Sequence, residues 1–214
     1  MTRISCPVCS ASAHVIVDEK TSITYHCCTA CDYWCKAPEH HPTLPEQKPR
    51  YDLHENDPDD PGYRAYFQRF LDWVLPQVTT QGRALDFGSG ASDLLATMLS
   101  EAGFDATRYD PIYHPDTGYR GDHYDLIVST EVFEHLSDPM AVFAHLADRL
   151  APGGYLALQT QFHPDDAAAF LRWYYRLDPT HIGFFTPRTF QKMARQQGLA
   201  YLSDDGANKV LFRR

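Results

Sequence analysis

The sequence predicts an α/β protein: a doubly wound, mostly parallel sheet with a C-terminal antiparallel hairpin, preceded by a small cysteine-rich module. Three observations carry this expectation. From Arg83 onward, short apolar runs alternate with stretches of helical periodicity, and parallel strands need such crossover helices. Asp205-Gly206 separates two apolar runs at the end of the chain, which is hairpin-turn chemistry. All six cysteines fall between Cys6 and Cys35.

Cys6-Pro-Val-Cys9 and Cys28-Thr-Ala-Cys31 form two C-x-x-C pairs whose separation fits a four-thiolate Zn2+ site. Cys27, Cys35 or His26 are alternatives in the second pair. Four thiolates leave no open coordination position, so the expected role is structural, and a segment this short needs a staple in place of a core. The module is delimited as residues 1–37. Residues 38–61 are polar and rich in proline, which removes backbone donors, so they read as a linker.

The main domain is expected over 62–214. Tyr63, Tyr66, Phe67, Phe70, Leu71, Val74 and Leu75 recur at helical spacing, and Pro76 ends that helix. A strand over 83–87 leads into a glycine-bearing turn. Leu94, Leu95, Met98, Leu99 and Ala102 predict a helix closed by Gly103. Strands follow over 104–109 and 124–129. Ser137 or Asp138 caps a helix with Pro139 at its first position. Gly153-Gly154 turns the chain into a strand over 155–160. The aromatic run 166–177 predicts a helix, either a lid over a pocket or a packed layer. Thr186-Pro187 opens a last helix that ends at Gly198, before strands at 199–202 and 209–212.

The turn after the first strand reads Asp86-Phe87-Gly88-Ser89-Gly90-Ala91-Ser92. In a doubly wound sheet ligands bind at that end of the strands, and glycine lets backbone approach them closely. A tight turn alone accounts for two glycines equally well. About twenty residues later the second strand ends at Asp110, where a carboxylate can accept ribose hydroxyls. Together they point to a nucleoside-containing cofactor. Asp93 stands where a dinucleotide fingerprint has its third glycine, and a carboxylate there opposes a pyrophosphate, which disfavours a nicotinamide oxidoreductase. The positive sulfonium of S-adenosylmethionine suits an acidic pocket better.

The segments 84–90 (ALDFGSG), 108–111 (RYDP), 124–136 (YDLIVSTEVFEHL), 150–158 (LAPGGYLAL) and 181–185 (HIGFF) are similar to those of class I S-adenosylmethionine-dependent methyltransferases. Within that Rossmann-like family the chain resembles the group that includes the quinone-biosynthesis methylases. The resemblance covers residue 83 to the C-terminus. It implies that Asp86, Gly88 and Gly90, with Ser89 between them, shape the methionine end of the cofactor site. It implies that Asp110 holds the ribose and that Ser129, Thr130 and Glu131 line the same pocket. Ser92 departs from the family, which often has a third glycine there. The stretch between Asp110 and Tyr124 is short for an adenine site and leaves Asp122 as its candidate.

Methyl transfer is an in-line displacement in which the enzyme contributes alignment, and a hydroxyl or amine acceptor also calls for a general base. The candidates are His135 and His181. His135 is expected to share a helical face with Glu131, a capping role being the alternative. In similar methyltransferases the His181 segment lies near the acceptor; a loop histidine bonded to backbone is the alternative. Glu131, Glu134 and His135 suggest a metal only in part, since the sequence supplies no further ligand beside them.

A net charge of −9 argues against nucleic acid as the main partner, because phosphate neutralisation needs a basic face. No run approaches the roughly 20 apolar residues of a membrane span, and no signal peptide is visible, so a cytoplasmic location is expected. The expected function is methylation of a small-molecule acceptor. The alternatives are an RNA methyltransferase that reads its substrate with the zinc module and a non-catalytic zinc-ribbon binding protein with a relic pocket. The sequence carries no signal for an oligomeric state.

Overall fold

In the computed structural model, which describes residues 4–53 and 60–214, the chain begins with three antiparallel strands: β1 (Ala13–Asp18), β2 (Ile23–Cys28) and β3 (Trp34–Lys36). Residues 54–59 of the proline-rich stretch lie outside the described residues. Contrary to the linker reading, that stretch contains a helix, α1 (Leu44–Tyr51). Proline is tolerated at Pro45 because first-turn N–H groups need no partner. Thr43 and Glu46 close a capping box, with Thr43 N donating to Glu46 Oε2 at 2.7 Å.

α2 (Pro61–Val74) starts where Asp60 accepts from Gly62 N and Tyr63 N, and it buries Phe67, Phe70, Leu71 and Val74. The alternation then runs β4 (Arg83–Phe87), α3 (Leu94–Glu101), β5 (Asp105–Tyr109), β6 (Tyr124–Thr130), α4 (Pro139–Arg149) and β7 (Leu150–Gln159). Asp138, not Ser137, caps α4 by accepting from Ala141 N. β7 starts before the expected turn at Gly153-Gly154. Those glycines form an irregularity inside the strand, where a Cβ on Gly154 would meet Tyr124 O at 2.7 Å.

The expected aromatic helix breaks into α5 (Ala167–Arg172) and a 3-10 turn over Tyr174–Leu177. β8 (Gly183–Phe184) falls in a segment with no strand signal. α6 (Pro187–Gln197) is capped by Thr186 and closed by Gly198 at φ +68°, and β9 (Ala200–Asp204) and β10 (Lys209–Arg213) form the terminal hairpin.

Two sheets result. The larger has the order β5-β4-β6-β7-β10-β9, with β4 to β7 parallel and β10 antiparallel to both neighbours. The smaller has the order β1-β2-β3-β8, so a strand of the main domain completes the N-terminal sheet. This pairing fuses the cysteine module to the body of the protein. One core cluster holds Cys6, Val8 and Tyr33 together with Phe133, Phe185 and Phe190. Another packs α2 and α3 on the far face through Phe70, Leu95 and Leu99. A third joins Tyr25, Cys27 and Trp34 to Phe170, Tyr175 and Phe184. The aromatic run at 166–177 therefore mainly packs against the N-terminal sheet. Fully burying one such phenylalanine contributes about 1.5–3 kcal/mol. No described helix is long and apolar enough to cross a membrane.

Candidate active site

The carboxyl ends of β4, β5 and β6 open onto a cavity of about 900 Å³. That is the ligand position of a doubly wound sheet. Gly88, Ser89, Gly90, Asp110, Thr130, Glu131, His135 and His181 all line it. Asp86 and Ser129 do not; both are buried behind its wall.

The glycine turn is held from within the protein. Gly88 N and Ser89 N both donate to Tyr109 O, at 2.7 and 3.1 Å, and Gly90 N donates to Asp110 Oδ2 at 3.0 Å. The backbone N–H groups of residues 88–90 are thus already engaged, unlike the open N–H cradle of a phosphate site. Gly88 has φ +82°, and a Cβ there would meet Val132 Cγ2 at 2.3 Å. Asp110 also accepts from Ile112 N and Tyr113 N through Oδ1. It organises the loop after β5 and faces the cavity as well. Burial, followed by the charge of Asp110, pushes the Asp86 carboxyl up to about 7.

Asp122 lies elsewhere. It pairs with Arg83 at 2.5 Å and faces a separate, smaller cavity. In the main cavity the rings of Tyr109 and Tyr119 lie side by side, with centroids 4.4 Å apart.

Glu131, His135 and His181 line the same cavity. Glu131 adopts φ +54°, and residues Phe133–His135 form a single 3-10 turn, so Glu131 and His135 do not share a helical face as expected. The Tyr66 hydroxyl donates to Glu131 Oε1 at 3.1 Å. The Tyr175 hydroxyl lies 2.9 Å from Glu131 Oε2 and 2.5 Å from Glu134 Oε1. Burial, then the neighbouring Glu134, raises the Glu131 carboxyl to about 8. The two imidazoles meet at 4.8 Å between centroids. Burial lowers both, His181 to about 4 with the His135 ring adding to the shift. His135 Nδ1 bonds Thr180 O at 3.0 Å and His181 Nδ1 bonds Tyr175 O at 2.8 Å. A carbonyl only accepts, so each Nδ1 carries the hydrogen and each Nε2 keeps its lone pair.

The sequence reading missed the wall contributed by the proline-rich stretch. His41 to Leu44, Gln47 and Tyr51 cover the cavity. Tyr113 donates to Asp52 Oδ1 at 2.7 Å and Arg50 pairs with Asp178 at 2.9 Å, pinning α1 across the opening. The S/T-x-x-E signature at Thr43–Glu46 was the signal that could have revealed this helix. Tyr66 and Tyr175 were missed as partners of the carboxylates, because nothing local pairs them.

A family model described as a methyltransferase domain matches residues 60–204, more than half of the chain. The chain belongs to this methyltransferase family. No curated protein matches it. Among solved structures, the methyltransferase resembles magnesium protoporphyrin IX methyltransferase (ChlM) from Synechocystis PCC 6803 with bound SAH, at 18% identity and a TM-score of 0.51, over 72% of this chain and 84% of that one. It also resembles SAM-bound CalS10, an amino pentose methyltransferase from Micromonospora echinaspora, at 15% identity and a TM-score of 0.50, over 81% and 98%. At such identities the likeness shows the fold.

In the N-terminal module of the methyltransferase, Cys6, Cys9, Cys28 and Cys31 converge with their sulfurs within 4.8 Å of one another. Cys6 and Cys31 lie 3.6 Å apart, Cys9 and Cys28 3.5 Å. These separations suit thiolates around one tetrahedral ion at about 2.3 Å. Cys27, adjacent to Cys28 on a strand, points to the opposite face and packs with Tyr25 and Trp34. The module is bolted to the main domain: Thr189 Oγ1 donates to Cys31 O, Gln196 Nε2 to Val8 O, and Arg176 forms a buried ion pair with Asp18 at 2.8 Å.

Proposed function

We propose that this protein transfers a methyl group from S-adenosylmethionine to a small-molecule acceptor. One observation carries the reading: a single cavity is lined both by the glycine turn and Asp110 and by the paired imidazoles. Its volume lies at the upper end of the range of about 300–1,000 Å³ for ligand sites, which suits a cofactor and a modest acceptor side by side. The engaged turn amides leave little for a pyrophosphate, while the cavity wall carries the Asp110 carboxylate. Bound S-adenosylmethionine supplies a sulfonium-linked methyl group that moves to the nucleophilic atom of the acceptor and leaves a neutral thioether.

The protein's own groups divide the remaining work. Gly88, Ser89 and Gly90 bring backbone close to the methionine end, with Asp86 supporting from behind. Asp110 holds the ribose, and Ser129, Thr130 and Glu131 fix the strand end between cofactor and acceptor. His135 and His181 turn their Nε2 lone pairs to the acceptor, and one of them takes its proton. α1 excludes water from above. We assign Zn2+ to Cys6, Cys9, Cys28 and Cys31 as a structural ion, a reading supported by the sulfur separations and the absence of an open position in a four-thiolate set.

Isothermal titration with S-adenosylhomocysteine tests the cofactor. Saturable binding with a stoichiometry of one is expected, and folded protein that takes up none overturns the proposal.

A further inference from the structure

Behind the cavity wall formed by Glu131, His135 and His181 a second carboxyl group, Glu134, is buried, and its hydrogen bonding is incomplete. The Tyr175 hydroxyl has one proton for two carboxylate neighbours, Glu131 and Glu134. Glu134 is fully buried, and its Oε2 has no hydrogen-bond partner. Among the described residues no lysine or arginine forms an ion pair with either glutamate; the nearest basic group is His135, with Nε2 3.9 Å from Glu134 Oε1. A buried carboxyl oxygen in this state is satisfied by a proton or by a cation.

The imidazoles are set up to receive one. Each is locked by its Nδ1–H on a backbone carbonyl, Thr180 O for His135 and Tyr175 O for His181. Metal-ligating histidines are held in this way, the second nitrogen fixing the ring while the first binds the ion. One ligand atom each from Glu134, His135 and His181 lies within 4.8 Å of the others, and a shared ion would draw them closer. The sequence separates His181 from the other two, so only the folded chain assembles the set. Lys36, whose charge opposes an ion there, has its Nζ held on Asp178 O at 2.8 Å.

We propose that Glu134, His135 and His181 bind a divalent first-row cation, with Glu131 as an outer support joined to Glu134 through Tyr175. Nitrogen and carboxylate ligands suit such ions, and three protein ligands leave coordination positions open. Both imidazoles line the cavity, so an oxygen of the acceptor can occupy an open position. This assigns the acceptor class as oxygen-bearing molecules, and that part rests on the methyltransferase reading above. With the ion in place the Nε2 lone pairs of both histidines are spent on it, so in this inference they hold the acceptor through the ion in place of acting as the base named above.

The test is titration of full-length, zinc-loaded protein with Mn2+, following loss of the free-ion electron paramagnetic resonance signal. Mn2+ is a hard ion that thiolates disfavour, so the cysteine site does not compete. One Mn2+ per chain is expected, weakened about tenfold or more in E134Q and in H181Q. Thermal melting identifies a variant that fails to fold, in which case the other decides. S-adenosylhomocysteine is titrated into the same samples. Cofactor binding without Mn2+ binding overturns the metal site and leaves the proposed function standing. Mn2+ binding without cofactor binding overturns the proposed function and supports the metal site. Equal Mn2+ affinity in wild type and both variants overturns the assignment of these ligands.

Discussion

Substituting Gly88 by alanine probes the turn that the proposed function assigns to the cofactor. Two separable penalties act there. A left-handed backbone costs a residue with a Cβ about 1–2 kcal/mol, and Gly88 sits at φ +82°. The new methyl would also lie 2.3 Å from Val132 Cγ2, and overpacking of this kind costs about 1–3 kcal/mol. The total is about 2–5 kcal/mol, the sum of these two ranges. Val132→Ala removes the methyls that clash and leaves the backbone conformation alone. G88A/V132A is therefore expected to regain the packing share but not the φ share, with a favourable coupling of about 0.5–3 kcal/mol in the double-mutant cycle. Urea unfolding of the four proteins gives stability, and S-adenosylhomocysteine titration gives affinity. If G88A matches wild type in both, or if V132A restores nothing, the turn is not held against Val132 and the reasoning fails.

Asp86→Asn tests the buried carboxyl. Its pKa is raised on folding, so its burial is most favourable below about pH 4, where it is protonated in both states. That contribution is lost as pH rises through about 7. Apo D86N should gain stability relative to wild type between these limits, by on the order of 3–4 kcal/mol at most; a difference that does not change with pH refutes the assignment. Asp18→Ala strands the guanidinium of Arg176, which is 4% exposed, and breaking a buried pair costs about 3–5 kcal/mol. Denaturant midpoints measure it, and a loss below about 1 kcal/mol, the level of a surface pair, would contradict the buried assignment. Removing zinc with a chelator should lower the melting temperature of the whole chain in one transition, because β3 pairs with β8 and Cys31 is bonded to α6. Survival of an unshifted main transition would show the module to be an independent appendage.

Much of the main domain was legible because its signals are local. The strands at 83–87 and 209–213, the Asp138-Pro139 and Thr186-Pro187 helix starts and the Gly198 stop each follow from a few neighbouring residues. The glycine turn and its acidic neighbour were legible for the same reason: Gly88, Gly90 and Asp110 sit at strand ends in sequence, and those ends adjoin in a parallel sheet. The cysteine quartet announced itself through ligand spacing.

What sequence alone determined, then, is the order of elements from β4 to β7 and from α6 to β10, the glycine turn with its acidic neighbour, and the four sulfurs. Only tertiary structure decided the cluster of Glu131, Glu134, His135 and His181. The short β8 became a strand because β3 offered it an edge, and this fused the two sheets. α1 became a wall because Asp52 and Arg50 found Tyr113 and Asp178, residues far along the chain. Glu134 and His135 met His181 through folding, and Tyr175 reached the two glutamates in the same way. Contacts between distant segments depend on how elements pack, and a pattern that spans only a few residues carries no record of that packing.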